Sequence, residues 1–273
     1  MPATPFLSRG DLHGRGWVDR RISRAVSDGA LVRARGGVYL PALASQDVVD
    51  ACRLGGRLTC VSELARRGVF VLDASVLHVH LPRSASRLRP LARPSRSHWG
   101  ALRRRPHPRA TAVELFDALL QAVRCQPPRV AVATLDSALH LGLVGADDLD
   151  ELFGALPRRY RVLRRLLDGR AEAGTESLVR LMLRGLGASV ELQVEIPGVG
   201  RVDLLVDGWL IVECDSRAHH ADWDAQRRDR RRDQAAAARG LATFRPIAED
   251  ILWRPDAVRA ALAGLLAMRR GRA

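Results

Sequence analysis

Apolar positions follow helical spacing from Trp17-Val18 through Ile22, Ala25 and Val26, and Asp28-Gly29 stops that run. Leu31-Val32-Arg33-Ala34-Arg35 and Val38-Tyr39-Leu40 then read as two short strands around the Gly36-Gly37 turn. Val76-Leu77-His78-Val79-His80-Leu81 has the composition of a further strand. Residues 111–170 read as helical, with Leu115, Leu119, Leu120 and Val123 on one stripe and Pro127-Pro128 closing it. After Gly174, Thr175 is placed to N-cap a helix whose stripe is Leu178, Val179, Met182, Leu183 and Leu186, with Gly187 at its end. Val190, Leu192, Val194 and Ile196 alternate with Glu191, Gln193 and Glu195, the period of a half-buried strand, and Pro197-Gly198 turns the chain. Strands at 201–206 and 210–215 flank Asp207-Gly208, a hairpin signal. A helix ending near Gly240, a strand over 241–247 and an amphipathic helix opened by Pro255 complete the last third, in the order α, β, β, β, α, β, α.

Parity assigns the faces of that hairpin, because residues directly opposite each other point to the same side of a sheet. A two-residue loop sets Asp203 against Val212 and Val202 against Glu213, mixing charge with core. An odd loop, taken as 206–208 with Gly208 left-handed, instead gathers Val202, Leu204, Val206, Leu210, Val212 and Cys214 on one apolar face. Asp203, Glu213 and Asp215 then share the other face, with Glu176 in the first turn of the preceding helix. Three gathered carboxylates repel one another unless a cation sits among them, and oxygen-only donors suit Mg²⁺ or Mn²⁺. The alternative is that these acids are merely exposed or salt-bridged to the many arginines.

The chain of 273 residues carries 44 basic and 30 acidic side chains for a net +14, and every basic one is Arg. Such a field attracts polyanions, so nucleic acid leads the expected partners. A hydrophobic share of 47% supports real cores, and the length fits two compact domains or three small ones. Helix, helix and basic hairpin make a winged-helix outline over residues 1–56, with Arg20, Arg21, Arg24, Arg33 and Arg35 placed for phosphates or guanine edges; an ordinary solvated basic face is the other reading. Residues 57–170 read as a mixed β and helical connecting region, whose helices serve as support or as the contact of a homodimer. Between Ala74 and Val113 this region holds nine Arg, five Pro and no acid, so it tracks a phosphate backbone or is a linker. His78 and His80 have the spacing of a metal pair, but no third ligand is evident nearby and a structural role is expected. Cys52, Cys60, Cys125 and Cys214 make no CxxC pair, so neither a zinc ribbon nor a disulfide framework is expected. No signal segment or apolar run of membrane-spanning length is evident, and the expected setting is cytoplasmic, with no membrane partner.

Glu176, Arg201-Val202-Asp203, Val212-Glu213-Cys214-Asp215, His219-His220 and the run Arg227 to Asp233 together resemble the PD-(D/E)XK nuclease superfamily, above all its branch related to very-short-patch repair endonucleases. The resemblance covers about residues 171–273. It implies an αβββαβ restriction-endonuclease-like core within an α+β chain and cleavage of DNA. It also implies a divalent metal held by Asp203, Glu213 and the Cys214 carbonyl, with Glu176 and Asp215 in the catalytic group. Where the superfamily usually ends its third motif in Lys, this chain has Asp215. His219 or His220 would therefore position or deprotonate the attacking water, and Arg227 or Arg231 would neutralise the scissile phosphate. The first 56 residues, through Leu31-Val32-Arg33 and Gly36-Gly37-Val38-Tyr39, are similar to the winged-helix part of the abortive-infection type IV antitoxin family, which implies DNA binding without defining a toxin partner. A non-catalytic DNA-binding regulator or antitoxin-like protein with a degenerate nuclease fold is the alternative.

Overall fold

The computed structural model describes residues 5–86, 88, 91–214 and 223–270. It is a mixed α+β chain with three small sheets among the described residues. Its described residues divide into two compact units, Met1–Gln126 with Asp150–Pro157 and Pro127–Leu149 with Arg158–Ala273. This division does not coincide with the boundaries expected at 56 and 170.

In the first unit, α1 (Arg9–Gly14) and α2 (Asp19–Ser27) precede a hairpin of β1 (Leu31–Arg35) and β2 (Val38–Pro41). Ser8 caps α1, its hydroxyl accepting from the Asp11 N–H at 3.1 Å while the Asp11 carboxylate accepts from the Ser8 N–H at 2.8 Å. Leu12, Ile22 and Tyr39 form a small core under these elements. Next come α3 (Gln46–Arg53), β3 (Arg57–Leu58), α4 (Cys60–Arg66), β4 (Leu77–His80), β5 (Ser95–His98) and α5 (Leu115–Cys125). Strand β4 is central: it pairs antiparallel with β3 and parallel with β5, and all four of its residues are buried. Gly56 precedes β3 because any Cβ there would come within 2.6 Å of the His80 carbonyl oxygen. Leu58, Leu77, Val79 and Leu81 pack with Val48, Val49 and Cys52 of α3 into the main core of this unit.

The second unit begins with α6 (Pro128–His140), started by Pro at its first position, followed by α7 (Ala146–Ala155), which crosses the division, and a 3-10 helix at Arg158–Leu166. Then follow α8 (Gly174–Gly185), β6 (Val190–Ile196), β7 (Gly200–Val206), β8 (Leu210–Val212), α9 (Trp223–Ala238), β9 (Ala242–Phe244), α10 (Ala248–Trp253) and α11 (Pro255–Arg270). The sheet runs β6-β7-β8-β9, antiparallel except for the parallel β8–β9 pair. Helix α8 begins two residues earlier than its sequence signals indicate. Ala173, not Thr175, is the N-cap, and the Glu176 carboxylate closes the helix start.

The hairpin closes at Val206↔Leu210, so its loop is odd, but it comprises Asp207-Gly208-Trp209 rather than 206–208. Asp207 (φ 48°) and Gly208 (φ 70°) both take the left-handed conformation. Asp can occupy that region at modest cost, which lets the turn move one residue along. The single-apolar-face expectation needs correction at β8. Leu210, Ile211 and Val212 are all buried, and Ile211 packs with Val202 and with Ala236 of α9. A central strand covered on both sides reads as a continuous apolar run. The space around a Cβ at 208 is open, so Gly208→Val probes the backbone alone. We expect a stability loss of about 1–2 kcal/mol in urea denaturation, from the strain of a β-branched residue at positive φ.

Candidate functional site

Asp203 sits in β7, and the pairings Leu204↔Val212 and Leu205↔Ile211 carry the register on to place it opposite Glu213, at the end of β8. The odd loop therefore brings both acids to one side. From β6, Gln193 lies opposite Asp203 between the pairs Leu192↔Leu204 and Val194↔Val202, with the unusual φ of 55° for a strand residue. Its side-chain amide donates to Glu176 Oε2 at 2.9 Å. Glu176 also accepts from the N–H groups of Glu172 and Ala173, each at 3.0 Å. Its carboxylate thus terminates the helix and reaches the sheet at once, a bond set that takes up both oxygens.

Burial of Glu176, reinforced by the negative charge of Asp203, pushes its pKa up to about 7. Burial also raises Asp203, where Glu213 and Glu172 add to the effect and the Cys214 N–H, donating at 2.8 Å, opposes it. The Cys214 thiol is buried and raised for the same reasons, burial first. These are carboxylates short of positive charge, and oxygen donors of this kind fit a hard divalent cation. Glu213 differs: Oε1 takes Arg232 at 2.8 Å and Oε2 takes Arg245 at 3.2 Å. Arg232 is further fixed by the carbonyls of Val199 and Arg201, and Arg245 by Asp233 at 2.6 Å. Among the described residues, Glu176, Asp203 and Glu213 do not bring their ligand oxygens all within 4.8 Å of one another.

A native pKa near 7 for Glu176, above its ordinary 4.5, sets the sign of a pH effect. Between those values the folded state holds more protons than the unfolded one, so stability falls as pH rises. With EDTA present, we expect Glu176→Gln to flatten this decline. Denaturant midpoints from pH 4.5 to 8 check it, and parallel curves for the two proteins would refute it.

The arginines expected to meet DNA have varied surroundings. Arg20, Arg21, Arg24, Arg33 and Arg35 are all exposed. Arg21 stacks on Trp17 at 4.3 Å, Arg24 lies 3.5 Å from Asp28, and Arg35 runs along Gly55. Arg227 and Arg231 are exposed on α9. Asp215, His219 and His220 lie outside the described residues.

A second group of side chains was not foreseen. In the first unit Cys60, His78, His98 and Cys125 bring one ligand atom each within 4.8 Å of all the others. His78 Nδ1 and His98 Nε2 are 3.0 Å apart, and Cys125 Sγ is 3.9 Å from the same His98 nitrogen. Of the two histidines for which a structural role was expected, His78 joins this group and His80 does not. The parallel β4–β5 pairing delivers His98 to His78, while His80 Nδ1 lies 3.4 Å from the amide of Gln121. The partners of His78 arrive from α4, β5 and α5 and not from its own strand. Four separate residues of types that bind metal were the available signal, without a spacing to join them.

No known family profile matches this chain, and none of the curated proteins compared with it is similar to it.

Proposed function

We propose that the chain is a metal-dependent DNA endonuclease with an appended DNA-binding head. The observation that carries this reading is the convergence of Asp203, Glu213 and Glu176 on a four-stranded sheet entered in the order α8, β6, β7, β8, α9, β9. Asp203 and Glu213 would hold the cation, with the Cys214 carbonyl beside them, while Glu176, held by Gln193 of the adjoining strand, would add its negative charge from the helix. Mg²⁺ or Mn²⁺ bound there would polarise the scissile phosphate and lower the pKa of an attacking water. Arg227 and Arg231, four residues apart on α9, would face the phosphate backbone. Exposed Arg20, Arg21, Arg24 and Arg33 of α2 and β1 support DNA contact by the first unit, in keeping with the winged-helix resemblance. Roles for Asp215, His219 and His220 come from the nuclease resemblance alone.

One observation favours a second reading, a DNA-binding regulator whose nuclease-like fold does not cleave. Arg232 and Arg245 already neutralise Glu213, and this chain has no Lys for the third motif. Incubation of the purified chain with plasmid, single-stranded and mismatched DNA in Mg²⁺, Mn²⁺ or EDTA separates the two. Cleavage in either metal but not in EDTA supports the enzyme. Retention of DNA without cleavage under any condition supports the regulator.

A further inference from the structure

We propose that Cys60, His78, His98 and Cys125 form a structural Zn²⁺ site that fastens the arginine-rich stretch around β5 to the core of the first unit. Two thiolates and two imidazoles are the ligands zinc takes in closed tetrahedral sites, whereas Mg²⁺ and Mn²⁺ prefer oxygen. The spacing agrees. With Zn–N near 2.05 Å and Zn–S near 2.3 Å, a tetrahedron puts nitrogens about 3.3 Å apart and nitrogen about 3.6 Å from sulfur. The distances here are 3.0 Å for His78 Nδ1 to His98 Nε2 and 3.9 Å for Cys125 Sγ to His98 Nε2. Cys60 and His78 are buried and Cys125 and His98 half-buried, so four protein ligands leave no open position for substrate. That closure makes the site structural rather than catalytic.

Two features of the surroundings point the same way. Strand β5 reads Ser95-Arg96-Ser97-His98, has no apolar side chain, and exposes its first three residues. Hydrophobic burial cannot hold such a strand on β4, and His98 is its one inward anchor. Cys60 has φ of 52°, a conformation that L side chains rarely adopt and that surrounding structure must enforce. The chain just before it is held by the Thr59 N–H on the His78 carbonyl at 3.1 Å and the Thr59 hydroxyl on Gln121 at 2.7 Å. The Ser62 hydroxyl accepts from the His78 N–H at 2.9 Å. The two ends of the cluster are therefore tied to each other before any ion enters. Arg83, Arg93 and Arg103 to Arg105 flank β5 in sequence, so fastening His98 presents a basic stretch in one place.

The inference stands apart from the nuclease reading, because no ligand is shared and the test does not read cleavage. The full chain, purified under reducing conditions and passed over chelating resin, should retain about one equivalent of zinc by elemental analysis. Replacing zinc by Co²⁺ should give a thiolate-to-cobalt charge-transfer band and the intense visible absorption of four-coordinate cobalt. Cobalt at the acidic site has only oxygen donors and gives neither. Cys125→Ser should lose the charge-transfer intensity in part, and Cys52→Ser should keep it. Chelation should also speed tryptic cleavage between Arg83 and Arg109 on the order of tenfold, as β5 detaches. Absence of retained zinc, cobalt spectra without charge transfer, or a Cys60–Cys125 disulfide in the purified protein would each overturn the proposal. Should Cys125→Ser fail to fold, the cobalt spectrum of the unmodified chain decides.

Discussion

Asp203→Asn is expected to reduce Mg²⁺-dependent cleavage by a factor on the order of a hundred to a thousand, the scale set by removing one pre-positioned charge from a reacting phosphate. The substitution preserves shape and still accepts the Cys214 N–H, now found at 2.8 Å. The cleavage loss would therefore reflect charge and not collapse of β7. Glu213→Gln should have a comparable effect on cleavage and an additional one on folding, because Arg232 and Arg245 lose their common partner. Time courses on plasmid, paired with gel shifts, check both variants: cleavage should fall while DNA retention stays. Full activity of Asp203→Asn would remove Asp203 from the site, and with it the geometric support for the nuclease reading.

Asp136→Ala is expected to destabilise the second unit by about 3–5 kcal/mol, the loss typical when one partner of a buried ion pair is deleted. Asp136 and Arg180 have no exposed side-chain surface and meet at 2.7 Å. Asp136 also accepts from the Ser177 hydroxyl at 2.7 Å and from the Asp168 N–H at 2.7 Å, so it joins α6, α8 and the chain before α8. Burial pushes its pKa up against those three donors. Without it, Arg180 becomes a buried charge stripped of its direct ion-pair partner, and two of its nitrogens, Nε and Nη1, already have no hydrogen-bond partner. Asp136→Leu combined with Arg180→Met should recover part of the loss, since burying neither charge is cheaper than burying one. Guanidinium titrations of the single and double variants measure this, and a single variant within about 1 kcal/mol of the parent would contradict it.

Much of the local structure was legible because it depends on neighbours in sequence. Asp28-Gly29 ends α2, Gly36-Gly37 turns β1 into β2, and Pro127-Pro128 separates α5 from α6. Parity alone placed Asp203 and Glu213 on one side of the sheet, since an even loop would have buried charge. The exact loop was less legible, because Asp207 tolerates the left-handed conformation that the sequence reading reserved for Gly208. The partners of Glu213 were not legible at all. Among 44 arginines, spacing cannot single out Arg232 and Arg245; only the packing of α9 and the chain after β9 against the sheet does so.

Alternation, turn chemistry and charge thus determined, without coordinates, a mixed α+β chain, an acidic hairpin near its end and a strongly basic character. These are properties of short windows or of simple sums, and physics acts on them locally. Tertiary structure decided which acids are buried enough to titrate near neutrality, as at Glu176, because desolvation depends on everything packed around a group. It also decided that Cys60, His78, His98 and Cys125 meet. Their positions are spread over 66 residues from first to last, and the chain brings them together only by pairing β5 with β4 and packing α4 beside α5. No spacing rule reaches across such a span, since the ligands of a metal site need proximity in space and not in sequence.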